Sequence, residues 1–233
     1  MLTNNEIKLI KSLSIKKYRD QSKLFIAEGH KIVDEMLALE APIKHLVTDE
    51  ETIKKISNFN SKPQIIAIGE ITEKVLEVEN IKKGITLILD DIQDPGNLGT
   101  IIRICDWFGI NNIVCSETSV DMYNPKVIQA TMGAFLRVNV FYENLEKFIK
   151  KYQAETGNKC YGTFLTGENI YAMEKERDCA IIFGNEGNGI SKEIENLVDK
   201  KINIPCFSKN SIHAESLNIS VATAVVCSEF VKN

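Results

Sequence analysis

TLILDDIQDPGNLGTIIR, residues 86–103, is the stretch whose reading decides the fold of this 233-residue chain. Residues 87–89 form an apolar run of the length of a buried strand. The run stops in acidic residues and the pair Pro95-Gly96, which reads as a sharp turn. Asn97 is then predicted to cap a helix whose apolar positions Leu98, Ile101, Ile102, Cys105 and Phe108 share one face. Arg103 falls off that stripe, where it can face a site at the C-terminal end of the strand. Open α/β sheets bind their ligands in such crevices. On helix spacing alone, Arg103 reads as an i,i+3 surface partner of Asp106.

Outward from this stretch the chain alternates. Downstream, strands are predicted at 85–89, 112–115, 138–141, 160–164, 180–183 and 201–204. Helices are predicted at 97–108, 125–133, 143–154, 191–198 and 216–230. Short strands separated by helices make a parallel sheet covered on both faces the natural α/β architecture. Upstream, helices at 5–13, 30–39, 50–57 and 72–79 alternate with strands at 24–27, 43–47 and 64–68, a second, smaller α/β domain. The polar segment 77–84 reads as the linker between domains of residues 1–80 and 85–233.

Bulk composition narrows the class. The chain is 44% hydrophobic and 26% charged, ordinary for a globular protein. No apolar run approaches the roughly 20 residues of a membrane helix, and the N-terminus is too polar for a signal peptide, so no membrane partner and a cytoplasmic location are expected. Six scattered cysteines without a CxxC pair read as small core hydrophobes. With His30, His45 and His213 in unrelated contexts, no metal is expected. A net charge of −4 argues against indiscriminate nucleic-acid binding. Yet residues 8–23 hold six basic side chains, among them Lys16, Lys17 and Arg19, against the single acid Asp20. That run is either a phosphate-contacting surface or a solvated helix face.

Three polar loops follow strands in the larger domain. The first is 94–99. The second, GNEGNG at 184–189, has three glycines that let backbone N–H groups approach a ligand, and Glu186 adds a carboxylate. Its order is GxxGxG rather than the GxGxxG of a dinucleotide loop, and no acidic ribose ligand follows about 20 residues on. The third spans 204–220, where Ser216 and Asn218 are good helix caps.

Together these loops resemble the SpoU/TrmH branch of the SPOUT methyltransferases, which methylate ribose 2′-hydroxyls of RNA. The matching motifs are DPGNLGTIIRICDWFG at 94–109, IIFGNEGNGIS at 181–191, and Ile204-Pro205 leading to ESLNISVA at 215–222. The resemblance covers roughly residues 85–230. One departure is the stretch of ten residues between Pro205 and Ser216, longer than the family's usual loop and without its early glycine. Residues 16–29, chiefly Phe25, Glu28 and Gly29, resemble the L30e-like substrate-binding domain that precedes this catalytic domain in several rRNA methyltransferases.

The resemblance implies a C-terminal trefoil knot, S-adenosyl-L-methionine as methyl donor, an RNA substrate (rRNA, with tRNA as the alternative) and a homodimer. It implies catalytic roles for Arg103, Asn97, Glu186, Ser216 and Asn218. The methyl donor would be held at Gly184, Glu186, Gly187, Ile204 and Leu217, and RNA at Lys16, Lys17 and Arg19. Two other classes compete. A catalytically dead RNA-binding module would have lost Arg103 or Asn218, and both are present. A nucleotide-dependent oxidoreductase is disfavoured by the glycine order.

Overall fold

A computed structural model describes residues 2–59, 63–210 and 214–232; His213 lies outside the described residues. The chain divides into two compact units. One comprises Met1–Lys74 with Asp121–Leu136, the other Val75–Val120 with Arg137–Asn233.

In the first unit, helices α1 (Asn4–Ser12), α2 (Lys16–Ser22), α3 (His30–Ala38) and α4 (Glu50–Ile56) surround strands β1 (Leu24–Glu28), β2 (Ile43–Val47) and β3 (Ile66–Glu70). The strands are antiparallel in the order β1-β3-β2. Helix α1 starts on a capping box, Thr3 bonding the Glu6 backbone and Glu6 returning to the Thr3 backbone. Ile10, Leu13, Ile26, Ile53, Ile66 and Ile68 form one core. Helix α2 is not among the predicted elements, because its sequence, KKYRDQS, has no apolar stripe to betray it. No α-helix forms at 72–79.

The unit is completed from a distance. Helix α6 (Pro125–Thr131), predicted as a covering helix of the parallel sheet, belongs with the first unit instead. The physical reasons are specific. Asp121 pairs with buried Arg19, and Phe25 packs on Tyr123 and Phe135 with ring centroids 5.0 and 5.6 Å apart.

The second unit holds a six-stranded parallel sheet. Its strands are β4 (Ile85–Leu89), β5 (Asn112–Ser116), β6 (Asn139–Glu143), β7 (Lys159–Asn169), β8 (Cys179–Phe183) and β9 (Lys200–Asn203), in the order β6-β5-β4-β8-β7-β9. Leu87, Ile88 and Leu89 are fully buried, as a central parallel strand requires. Helices α5 (Pro95–Phe108), α7 (Leu145–Thr156), α8 (Lys192–Glu195) and α9 (Ile219–Val231) complete it, with α9 packed on α5. The predicted linker is not one. It carries a short 3-10 helix, Val78–Ile81, and Val78 and Ile81 are buried in the core with Ile88, Val114, Phe148 and Ile182. No helix among the described residues is long and apolar enough to cross a membrane.

From β4 the chain winds one way through β5 and β6, then returns to the other side through β7 and β8. The carboxyl ends of β4 and β8, adjacent in the sheet, therefore flank the switch point where α/β sheets open a crevice.

Candidate active site

The loops after β4 and β8 are tied together at that crevice. The Asp90 N–H donates to the Phe183 carbonyl at 2.9 Å, and the Asp90 carboxylate accepts from the Ser191 N–H at 2.8 Å. Helix α5 is capped by Asp94, which accepts the Asn97 N–H at 2.8 Å, and Pro95 occupies its first turn. Asn97 is therefore not the cap that its type and position suggest. Lying inside the first turn frees its side chain for the site.

That side chain joins three loops distant in sequence. Asn97 Nδ2 donates to Glu186 Oε1 at 2.6 Å, and Asn218 Nδ2 donates to Asn97 Oδ1 at 3.0 Å. The direction of the chain is dictated from its far end. Asn218 caps α9, and its Oδ1 accepts from the Ser220 N–H, the Ser220 hydroxyl and the Val221 N–H. Only its Nδ2 is left to face Asn97, which must then accept on oxygen and offer nitrogen to Glu186. A helix cap thus aims the Glu186 carboxylate.

Arg103 lies about two turns into α5 on an exposed face. Its expected surface partner is taken: Asp106 binds Arg137 in a two-point ion pair, Nε and Nη2 each 2.8 Å from a carboxylate oxygen. Among the described residues Arg103 makes no ion pair or hydrogen bond. Ser216 is exposed and likewise makes no hydrogen bond among the described residues; α9 begins two residues later than a cap at Ser216 would place it. Leu217 is half exposed and Ile204 partly exposed.

The glycine-rich loop is closed by its own hydrogen bonds. Gly189 and Asn185 exchange backbone hydrogen bonds at 2.9 and 3.0 Å, closing the loop on itself. A Cβ at Gly184 would overlap the Gly189 backbone, so that glycine serves the approach of the loop's two arms. The N–H groups of Gly187 and Asn188 go to Asn185 Oδ1, at 2.8 and 3.1 Å. Gly187 thus spends its N–H within the loop, whereas the N–H groups of Gly184 and Glu186 have no partner among the described residues. Asn185 is not among the expected site residues. The signal for it is the habit of Asn of bonding the backbone two residues on.

Past β9, the backbone N–H groups of Cys206 and Phe207 have no partner among the described residues, beside apolar Ile204 and the facing rings of Phe207 and Tyr171. Open amide donors beside apolar and aromatic surface suit an adenosyl group.

The basic run needs correction. Lys16 and Lys17 are exposed, but Arg19 is only 2% accessible. Its Nε and Nη2 bind Asp121 at 2.9 and 2.5 Å, and its Nη1 donates to the Leu13 carbonyl at 2.6 Å. A guanidinium so enclosed meets no phosphate. The cysteines also divide: five are buried and Cys206 is exposed. Burial pushes the thiols of Cys160, Cys179 and Cys227 up to about 12, which keeps them protonated and inert. Among the described residues no cluster of His, Cys, Asp and Glu could hold a metal ion.

Comparison with known proteins matches the two parts of the chain to two domain families. Residues 84–228 match the SpoU rRNA Methylase family, and residues 4–79 match the MRM3-like substrate binding domain. The chain is 28% identical to the 23S rRNA (guanosine(2553)-2′-O)-methyltransferase RlmP of Bacillus subtilis, over 96% of this chain and 94% of that protein. A TrmH-family structure from Porphyromonas gingivalis superposes with a TM-score of 0.89 at 32% identity, covering 99% of this chain and 98% of the other. The AdoMet-bound rRNA methyltransferase from Sinorhizobium meliloti gives 0.88 at 28% identity, covering 100% and 96%.

Proposed function

The chain belongs to the SpoU rRNA methylase family, and from that premise we propose that it methylates a ribose 2′-hydroxyl of RNA with S-adenosyl-L-methionine as donor. The observation that carries this reading is the directed chain from Asn218 through Asn97 to Glu186, with Arg103 left unpaired on the same helix as Asn97. Ribosomal RNA is the favoured substrate class, since relatives named as 23S rRNA methyltransferases match nearly the whole chain.

Bound S-adenosylmethionine supplies an electrophilic methyl on a sulfonium. The open amides past β9, with Ile204, Leu217 and the Glu186 N–H, are the groups that would hold it. A ribose hydroxyl is a weak nucleophile until its proton departs, so the site must stabilise the alkoxide that develops. A guanidinium offers only donors and no acceptor, so Arg103 acts as a charge clamp and not as a base. Glu186 and Asn97 hold the ribose and the clamp in register; Ser216, unbonded beside Asn218, is a further hydroxyl contact for the substrate. Tritiated methyl transfer into unmodified 23S rRNA, followed by mapping of 2′-O-methylation, tests the reading. Transfer to a base, or none to RNA, would overturn it.

The finer elements of the reading are a C-terminal trefoil knot, a homodimer and action in the cytoplasm. The return of α9 onto α5 after the chain has formed the far edge of the sheet supports the first. The exposed apolar side chains Trp107 and Val221 on those two packed helices support the second.

A further inference from the structure

The loop that carries Glu186 is anchored through one side chain, and nothing in the chemistry above uses it. Asn185 Nδ2 donates to the Asp91 carbonyl at 2.8 Å and to Asp91 Oδ2 at 3.2 Å. Its Oδ1 takes the two loop N–H groups of Gly187 and Asn188. One amide therefore fastens the loop to the end of β4 with its nitrogen and shapes the loop with its oxygen. Glu186 lies between two residues so held, which fixes the backbone from which its carboxylate reaches Asn97.

Asp91 is itself an unusual anchor. It sits at φ +60°, a left-handed conformation that most side chains avoid and Asp tolerates. Two neighbours besides Asn185 bond it there. Its N–H donates to the Ser116 hydroxyl at 2.9 Å, and Gln93 Nε2 donates to its Oδ1 at 2.6 Å. Ser116 in turn bonds Ser119, which accepts the Ile92 N–H at 3.1 Å. Non-glycine residues held in this region are retained where the surroundings over-determine them, commonly at functional sites.

We propose that Asn185 is a positioning residue for methyl transfer, with Asp91 as its anchor: it sets the Glu186 carboxylate against Asn97 and touches neither substrate nor methyl donor. The inference rests on the proposed reaction only for its kinetic readout.

The test is a double-mutant cycle. Asn185→Asp keeps the oxygen that shapes the loop but turns the donor facing Asp91 into a repelling acceptor. Single-turnover methylation of 23S rRNA by this variant should fall at least about tenfold, while in a Glu186→Ala background the same change should cost less than about twofold. Equal losses in both backgrounds would overturn the proposal, because Asn185 would then act by some route other than Glu186. If Glu186→Ala alone loses nothing, the assignment of Glu186 to the reaction fails instead. A second readout needs no RNA: the side-chain amide resonance of Asn97 should move in Asn185→Asp toward its position in Glu186→Ala. Asp91→Gly suits φ +60° and keeps the carbonyl acceptor, so it should move that resonance part of the way. An Asn97 resonance at its wild-type position in both variants would refute the positioning role.

Discussion

The two units use their polar side chains in opposite ways. In the first, the residues that stand out in sequence are turned inward. Arg19 is enclosed by Asp121 and the Leu13 carbonyl, and Glu28 is buried against the Ser57 hydroxyl and the Asn58 backbone and side chain. Gly29 follows Glu28 at φ +94°, where glycine is at ease. In the second, Arg103, Glu186, Ser216 and Asn218 are exposed and Asn97 is half-buried, and Asn97, Glu186 and Asn218 meet through hydrogen bonds at the loops that follow β4 and β8. A motif of buried residues marks how a domain is built, whereas a motif of exposed residues at converging loops marks what it does. Burial sorts the two kinds, and sequence spacing alone does not.

The contrast breaks most visibly at Arg19. If its role is architectural, Arg19→Ala leaves the Asp121 carboxylate, 14% accessible, without its partner. Removing one member of a buried pair costs about 3–5 kcal/mol. Urea unfolding should register that loss. Lys16→Ala should change stability by no more than about 0.5 kcal/mol, as for a surface site. Equal effects at the two positions would erase the distinction between a buried and a solvated cation.

Arg103 should behave in reverse. Arg103→Ala is expected to lose at least about two orders of magnitude in methyl transfer, the scale for removing a transition-state charge stabiliser. Unfolding and S-adenosylmethionine affinity, measured by calorimetry, should be near wild type, since its side chain bonds nothing among the described residues. Normal turnover in this variant would return Arg103 to the ordinary surface.

An intermediate effect is expected at Trp107, the chain's single tryptophan, 85% exposed on α5. If α5 and α9 form the dimer face, Trp107→Ala should weaken self-association by about 30-fold, a hot-spot loss near 2 kcal/mol. Sedimentation across the micromolar range reads it directly. A wild-type protein that remains a 26.2 kDa species throughout would remove the dimer from the proposed function.

Much of the fold is legible in the sequence, and what is not has physical causes. The β4 run, the α5 stripe and the six parallel strands follow from local apolar pattern, which needs only neighbours in sequence. The site residues Asn97, Glu186 and Asn218 are legible through motifs, but their mutual bonding is not, because a hydrogen bond across 89 or 121 positions leaves no periodic trace. The same blindness misplaces α6. Its amphipathic sequence says that it packs, and only Asp121, Tyr123 and Phe135 say against what. Arg19 misleads for the complementary reason: a basic side chain in a basic run looks solvated until its acid arrives 102 residues later.

The smallest effect tests what is left of the basic run. With Arg19 internal, the exposed cations Lys16 and Lys17 on α2 are the ones available to RNA phosphates. The chain carries a net charge of −4, so attraction to RNA must come from a local surface and not from the molecule as a whole. Neutralising one fewer phosphate lowers the magnitude of the log-affinity against log-salt slope by roughly 0.7 to 0.9. Replacing both lysines by Glu should therefore flatten the slope by roughly 1.4 to 1.8 and weaken binding at moderate salt. Stability should hold, because Lys16 contributes only an exposed i,i+4 pair with Asp20, 3.4 Å apart. Affinity for S-adenosylmethionine should also hold, since the groups assigned to it all lie in the other unit. An unchanged slope would mean that the first unit meets RNA through some other face, and that α2, like the Arg19 it carries, serves construction alone.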